Sequence, residues 1–172
     1  FALLVAVLPE VLAFAAGKAS RPFEKYLLDG LTVAFADEAR WLLPLLAVAV
    51  IGLAVWRRLP VWQGLVIAGL LQAATVAIII APRAIGVTQG PVREAAMLVK
   101  QSGETNVVAW RIIMPSFSVY RQAATPTRVP ELGQLVFTRT DRKHEVQALL
   151  APHLVLRDVY QRSFVTLARV EA

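Results

Sequence analysis

Residues 60–81 read PVWQGLVIAGLLQAATVAIIIA, 22 positions without one charged side chain. A helix needs about 20 mostly apolar residues to cross the hydrocarbon of a bilayer, so this stretch predicts a membrane span and constrains everything attached to it. Two more apolar runs point the same way: Trp41–Trp56 (WLLPLLAVAVIGLAVW) and residues 1–17 (FALLVAVLPEVLAFAAG). The last starts in mid-run without the basic n-region of a signal peptide, and its span is expected to continue upstream of Phe1. Three spans are therefore expected, at about 1–17, 41–56 and 60–81. Trp41, Trp56 and Trp62 fall at span ends, where an indole keeps its ring in the interface and its N–H hydrated.

The Arg57–Pro60 linker, RRLP, is short and basic and by the positive-inside tendency stays cytoplasmic. Counting from it, segment 18–40 and everything after residue 82 face the other side, the periplasm or exterior. Segment 18–40 carries 4 basic and 4 acidic residues, with Phe23, Leu27, Leu31 and Phe35 near helical spacing. It reads as an amphipathic helix lying at the membrane interface, or alternatively as a substrate-contacting loop. Glu10 is an ionisable group inside a span, next to Pro9. Such a group either contacts a polar substrate or metal or is paired near the interface. Gln63 and Gln72 read as interhelical hydrogen-bonding groups.

The chain is 57% hydrophobic, and the excess lies in residues 1–82; residues 83–172 alternate like a soluble domain. Charge divides at the same place. Residues 1–82 hold 6 basic and 5 acidic groups, residues 83–172 hold 12 and 7, so +1 and +5 make the total of +6. A basic domain at a membrane meets anionic headgroups or phosphates first. Nucleic acid is not expected, because there is no basic run and no recognised motif.

Gly90-Pro91 is expected to open a helix, with Val92, Ala95, Ala96 and Val99 on its inner face and Gly103 stopping it. NVVAWRIIM, residues 106–114, reads as a buried strand. MPSFSVYRQAATP, residues 114–126, is irregular or briefly helical, a recognition or packing loop in which Phe117 and Tyr120 pin the chain to its own sheet or face a ligand. GQLVFTRTD is a second strand, followed by a helix capped by Asp141 with Val146, Leu149 and Leu150 inward and ended by Pro152. HLVLRDVYQRSFVTLARV closes as two strands around residues 160–163. These elements make a small α/β sandwich.

No complete active site is legible. His144 and His153 lack the spacing of a metal motif and suit surface positions. Ser116 and Ser118 lack the glycines of a nucleophile elbow. There is no phosphate-cradling glycine motif, no cysteine, and no paired carboxylate beyond a tertiary juxtaposition of Asp29 with Asp37 or Glu38.

Three runs carry a family resemblance: QGPVREAAMLVKQ (89–101), MPSFSVYRQAATPTR (114–128) and PELGQLVFTRTDR (130–142). Together they resemble the extracytoplasmic C-terminal domain of bacterial aminoarabinose transferases, polyprenyl-phosphate-sugar glycosyltransferases of the GT-C fold. The resemblance covers about residues 82–172, and the three spans suit the end of that family's helical bundle. It implies a bacterial inner-membrane glycosyltransferase with a periplasmic C-terminal domain, moving a sugar such as 4-amino-4-deoxy-L-arabinose from a polyprenyl phosphate carrier to a lipid or glycolipid acceptor such as lipid A. The family's catalytic acid and its Lys-x-Pro-x-Tyr-type motif lie upstream of the matched region and do not occur in residues 1–172. These residues are then expected to support or gate the site.

Binding a phosphodiester headgroup favours arginine. The candidate substrate-binding residues are Arg83, Arg93, Tyr120, Arg121 and Glu10, with Arg128 a further basic candidate. The competing reading is a membrane-anchored extracytoplasmic binding or sensor domain without catalysis; a transporter fragment ranks third, since no inverted repeat or broken-helix pair is present.

Overall fold

The structure, a computed structural model, describes residues 7–36, 47, 49–52, 60–150 and 152–172. The chain divides into two compact units, Phe1–Val87 and Thr88–Ala172.

In the first unit, α1 (Leu8–Lys18) and α2 (Pro22–Ala36) form a helical hairpin. The stripe foreseen in segment 18–40 does form on a helix, and its C-terminal end packs on protein: Phe35 is buried against Leu8, Leu12, Leu31 and Ile80. Gly30 allows the close approach on this side, because a Cβ there would lie 2.9 Å from Val87 Cγ1.

α3 (Val61–Thr75), a π-helical turn (Val76–Ile80) and α4 (Ala81–Ser102) make one continuous helix of 42 residues. Its apolar part is hydrophobic on all sides and open, with Val61 81%, Leu65 69% and Ile78 72% exposed. A helix that is apolar all round needs an apolar surrounding. This helix is the one among the described residues that is long and apolar enough to cross a membrane. Of the three expected spans, the one at 60–81 lies in this helix. Of the expected span at 1–17, helix α1 (11 residues) is the described part, and residues 1–6 lie outside the described ones. The 41–56 span lies outside the described residues, apart from helical positions 47 and 49–52.

Two prolines shape this helix. Pro82 offers no N–H to the Ile78 carbonyl, and its ring crowds that carbonyl. The helix widens just before it, with the Ala81 N–H reaching back to the Val76 carbonyl. Thr75 is buried and returns its hydroxyl to the Leu71 carbonyl at 2.8 Å, the usual way to satisfy a hydroxyl in apolar surroundings. Pro91 was expected at a helix start, but it lies inside α4. An already formed upstream helix needs no new nucleus and runs on through a proline. The bond that Pro91 cannot make is to Val87, the last residue of the first unit.

The second unit follows the expected order of elements. After α4 come β1 (Val107–Ala109), α5 (Pro115–Arg121), β2 (Leu135–Arg139), a 3₁₀ turn (Thr140–Arg142), α6 (Lys143–Leu150), β3 (Val155–Arg162) and β4 (Val165–Glu171). The sheet runs β1-β2-β4-β3, parallel between β1 and β2 and antiparallel elsewhere. In α4, Val92, Ala95, Ala96 and Val99 are fully buried while Arg93, Glu94 and Lys100 are exposed. Gly103, at φ +68°, ends the helix in the left-handed region where glycine is unstrained. On one sheet face Val108, Val136, Ala168 and Val170 pack with Val146 and Leu150 of α6. Alternation along β2 sends Phe137 to the other face, where it stacks on Phe117 of α5 at 3.9 Å.

Three details differ from expectation. Strand β1 stops at Ala109 because Arg111 adopts a left-handed backbone, φ 48°, that no strand accommodates. Asp141 does not cap α6. Its two oxygens accept from Arg139 Nε at 2.9 Å and Nη2 at 2.6 Å, a bidentate pair stronger than a single cap bond. Leu149 points outward, 51% exposed, since α6 spans only two turns and Val146 and Leu150 already fill its inner face.

Candidate functional site

A concavity in the α/β unit opens beyond the C-terminal ends of the two parallel strands, where open α/β sheets bind their ligands. It is a surface groove of about 500 Å³. One wall is the chain leaving β1: Trp110, Arg111, Ile112 and Ile113. The opposite wall is Thr127, Arg128 and Val129, and Arg142 reaches in from the turn after β2. Backbone bonds fix both walls. The Ala109 N–H donates to the Pro126 carbonyl at 2.9 Å and the Arg128 N–H to the Ala109 carbonyl at 3.3 Å, so residues 126–128 run along the outer edge of β1. Thr138 Oγ1 donates to the Trp110 carbonyl at 3.1 Å from the β2 side.

The groove is basic. Arg111 lies 4.9 Å from the Trp110 ring centroid and pairs with Glu145 at 2.6 Å. Arg142 makes one long bond, 3.5 Å, to the Arg111 carbonyl, and Arg128 is exposed. A smaller cavity of about 160 Å³ adjoins it, lined by Met114, Pro115, Ser118 and Thr125 among others. Guanidinium groups beside apolar side chains can hold a phosphate or carboxylate through paired hydrogen bonds while the ligand's apolar part is shielded. Among the described residues no group of three or more His, Cys, Asp or Glu is placed to hold a metal ion.

The residues singled out in the sequence have other surroundings. Arg121 is buried, 7% exposed, and its guanidinium donates to the Ala124 carbonyl at 3.1 Å, Thr125 Oγ1 at 3.4 Å and the Thr105 carbonyl at 3.5 Å. Burial lowers its pKa from the ordinary arginine value. Tyr120 is half-buried beside it on α5, and Arg93 is exposed on α4. In the first unit, Arg83 donates to the Ile79 carbonyl at 3.1 Å, in the helical turn loosened by Pro82, and Glu10 is exposed on α1. His144 and His153 are both exposed, and Ser116 and Ser118 are half-buried. Of the basic candidates, Arg128 is the one in the groove. Arg111 and Arg142 are not among the candidates that the sequence offers. The signal for Arg111 was present, an arginine inside the apolar run WRII, but an apolar run of that length reads as strand.

A polar cluster ties α4 to β3. Glu94 accepts from the Tyr160 hydroxyl at 2.8 Å and pairs with Arg162. Hydrogen bonding from Arg162, then from Tyr160, holds the Glu94 carboxyl below its ordinary value. Desolvation, then the bond to Glu94, pushes Tyr160 up to about 12. The bond to Glu94 likewise raises Arg162. The signs follow by linkage. Glu94, depressed in the fold, contributes stability above the unfolded carboxylate value of about 4.3, and this is lost as pH falls through the folded value. Tyr160, raised, contributes stability that is complete below its unfolded value of about 10 and is lost as pH rises through about 12. The unfolding midpoint of Tyr160→Phe is therefore expected to lack the part of the alkaline fall that the wild type shows above pH about 10. The difference is under about 1 kcal/mol, because the pair is largely exposed. Identical alkaline limbs for the two proteins would show that Tyr160 is not coupled to Glu94.

Comparison of the chain with protein-family models, curated proteins and solved structures gives no match.

Proposed function

We propose that this chain is the C-terminal part of an integral-membrane glycosyltransferase that moves a sugar, such as 4-amino-4-deoxy-L-arabinose, from a polyprenyl phosphate carrier to an outer-leaflet acceptor such as lipid A. The observation that supports it most is the helix Val61–Ser102. One continuous element contains both an uncharged stretch of spanning length and the residues Val92, Ala95, Ala96 and Val99 that enter the core of an α/β unit. On this proposal the helix is a membrane span that continues into the domain whose sequence runs resemble the aminoarabinose transferases. In this reading the α/β unit lies in the periplasm and supports or gates the site, and the catalytic acid belongs to a part of the protein outside residues 1–172.

The test is sugar transfer by the full-length protein in membrane vesicles, from a labelled polyprenyl phosphate sugar to lipid A. Label in the lipid A fraction is expected. A folded, membrane-inserted protein that hydrolyses and transfers nothing would favour instead an anchored extracytoplasmic binding domain.

A further inference from the structure

We propose that the arginine-lined groove is where the α/β unit docks on a bilayer surface carrying anionic phospholipid. Arg128 and Arg142 would meet the headgroup phosphates, and Ile113 and Val129 would enter the boundary with the acyl chains.

The charge pattern selects this occupant. Residues 88–172 contain 11 basic and 7 acidic groups. Six of the acids are paired: Glu94 with Arg162, Glu104 with Arg169, Asp141 with Arg139, Glu145 with Arg111, Asp158 with Lys143 and Glu171 with Arg157. The seventh, Glu131, accepts from Gln134. Five bases are left. Arg121 is buried on backbone carbonyls and Lys100 is bonded to Gln122 at 2.8 Å, which leaves Arg93, Arg128 and Arg142. Two of these three line the groove, so its uncompensated charge is of one sign.

The apolar half is equally specific. Ile113 is 92% exposed and Val129 57% exposed, on opposite walls of the same groove. Arg111, whose left-handed backbone at φ 48° carries a strain that glycine would not, begins the turn that presents Ile113. Long basic side chains interleaved with exposed aliphatic ones match an interface in which charge stays at the headgroups and methyl groups reach below them. An acidic peptide would satisfy the arginines but would leave both aliphatic side chains in water. The proposal does not depend on whether the parent protein transfers a sugar.

Residues 1–172 contain no cysteine, so a single one placed among them is unique once any cysteine in the rest of the full-length protein has been changed to serine. The full-length protein carrying Ile113→Cys, labelled with an environment-sensitive fluorophore, is inserted into nanodiscs of phosphatidylcholine with or without phosphatidylglycerol. The expected result is a blue shift, with quenching by spin-labelled lipid, in the anionic discs and not in the neutral ones. A label at Val155→Cys, exposed on β3, serves as the control and should remain in water in both. Each arginine near an anionic surface contributes about a fivefold bias, so Arg128→Gln with Arg142→Gln should lower the docked-to-free ratio about thirtyfold. Arg128→Gln alone, changing an exposed side chain, gives the fivefold step if the double variant unfolds early. A label at position 113 that stays in water in anionic discs overturns the proposal, as does a blue shift equal in neutral discs or unchanged in the arginine variants.

Discussion

Phe117→Ala is expected to destabilise the α/β unit by about 3–5 kcal/mol, the usual loss for truncating a buried phenylalanine. The side chain is 1% exposed and stacks on Phe137 with its ring nearly parallel, at 16°. The alanine would leave a void between α5 and the sheet that a seven-residue helix fixed at both ends has little freedom to collapse into. At about 4–8 °C per kcal/mol for a unit of this size, the unfolding midpoint should fall by more than about 10 °C. Phe117→Leu, which keeps most of the volume, should lose much less. Thermal unfolding of the full chain in detergent, followed by near-ultraviolet circular dichroism, checks this. An unchanged midpoint for Phe117→Ala would mean that residues 114–126 do not close the core.

The second large effect is expected at Arg121. Arg121→Ala removes the donor that holds the Ala124 carbonyl, Thr125 and Thr105 around one buried guanidinium. Hydrogen bonds from a charged donor contribute about 1.5–3 kcal/mol, and the packing of the buried arginine stem is lost with them. About 2–4 kcal/mol of destabilisation follows, with Arg121→Lys recovering only part, since an ammonium cannot span three acceptors with a planar fork. In the glycosyltransferase proposed above, substrate affinity measured on the folded fraction should barely change. A protein that unfolds as the wild type does but loses sugar transfer would instead make Arg121 a substrate-binding residue, as its place among proline-flanked polar residues first implied.

The two variants mark the limit of what the sequence could say about residues 114–126. Spacing and composition showed a segment rich in groups that recognise ligands. They could not show that Phe117 and Arg121, four apart on one helical turn, both turn inward. That depends on a sheet whose face at Phe137 is set by the pairing of β2 with β4, a contact across about thirty residues. The same cause explains the groove. Arg111, Arg128 and Arg142 are spread over 32 positions of sequence and meet because β1 and β2 are parallel neighbours with their C-terminal ends together.

What the sequence determined by itself is whatever short-range physics decides. The uncharged run 60–81 specifies an apolar helix. The 3.6-residue period of Val92, Ala95, Ala96 and Val99 specifies the buried face of α4, the left-handed Gly103 its end, and the order helix, strand, irregular or helical piece, strand, helix, strand, strand follows from alternating periods. Pro91 misled because a proline reads locally as a helix start, whereas a helix already propagating from upstream continues through it. Tertiary structure alone decided which charges are neutralised and which remain open. Ion pairs such as Glu94 with Arg162, 68 positions apart, form only after the fold has brought α4 beside β3. The residual positive charge at Arg128 and Arg142 is therefore a property of the fold, which no count of basic residues contains.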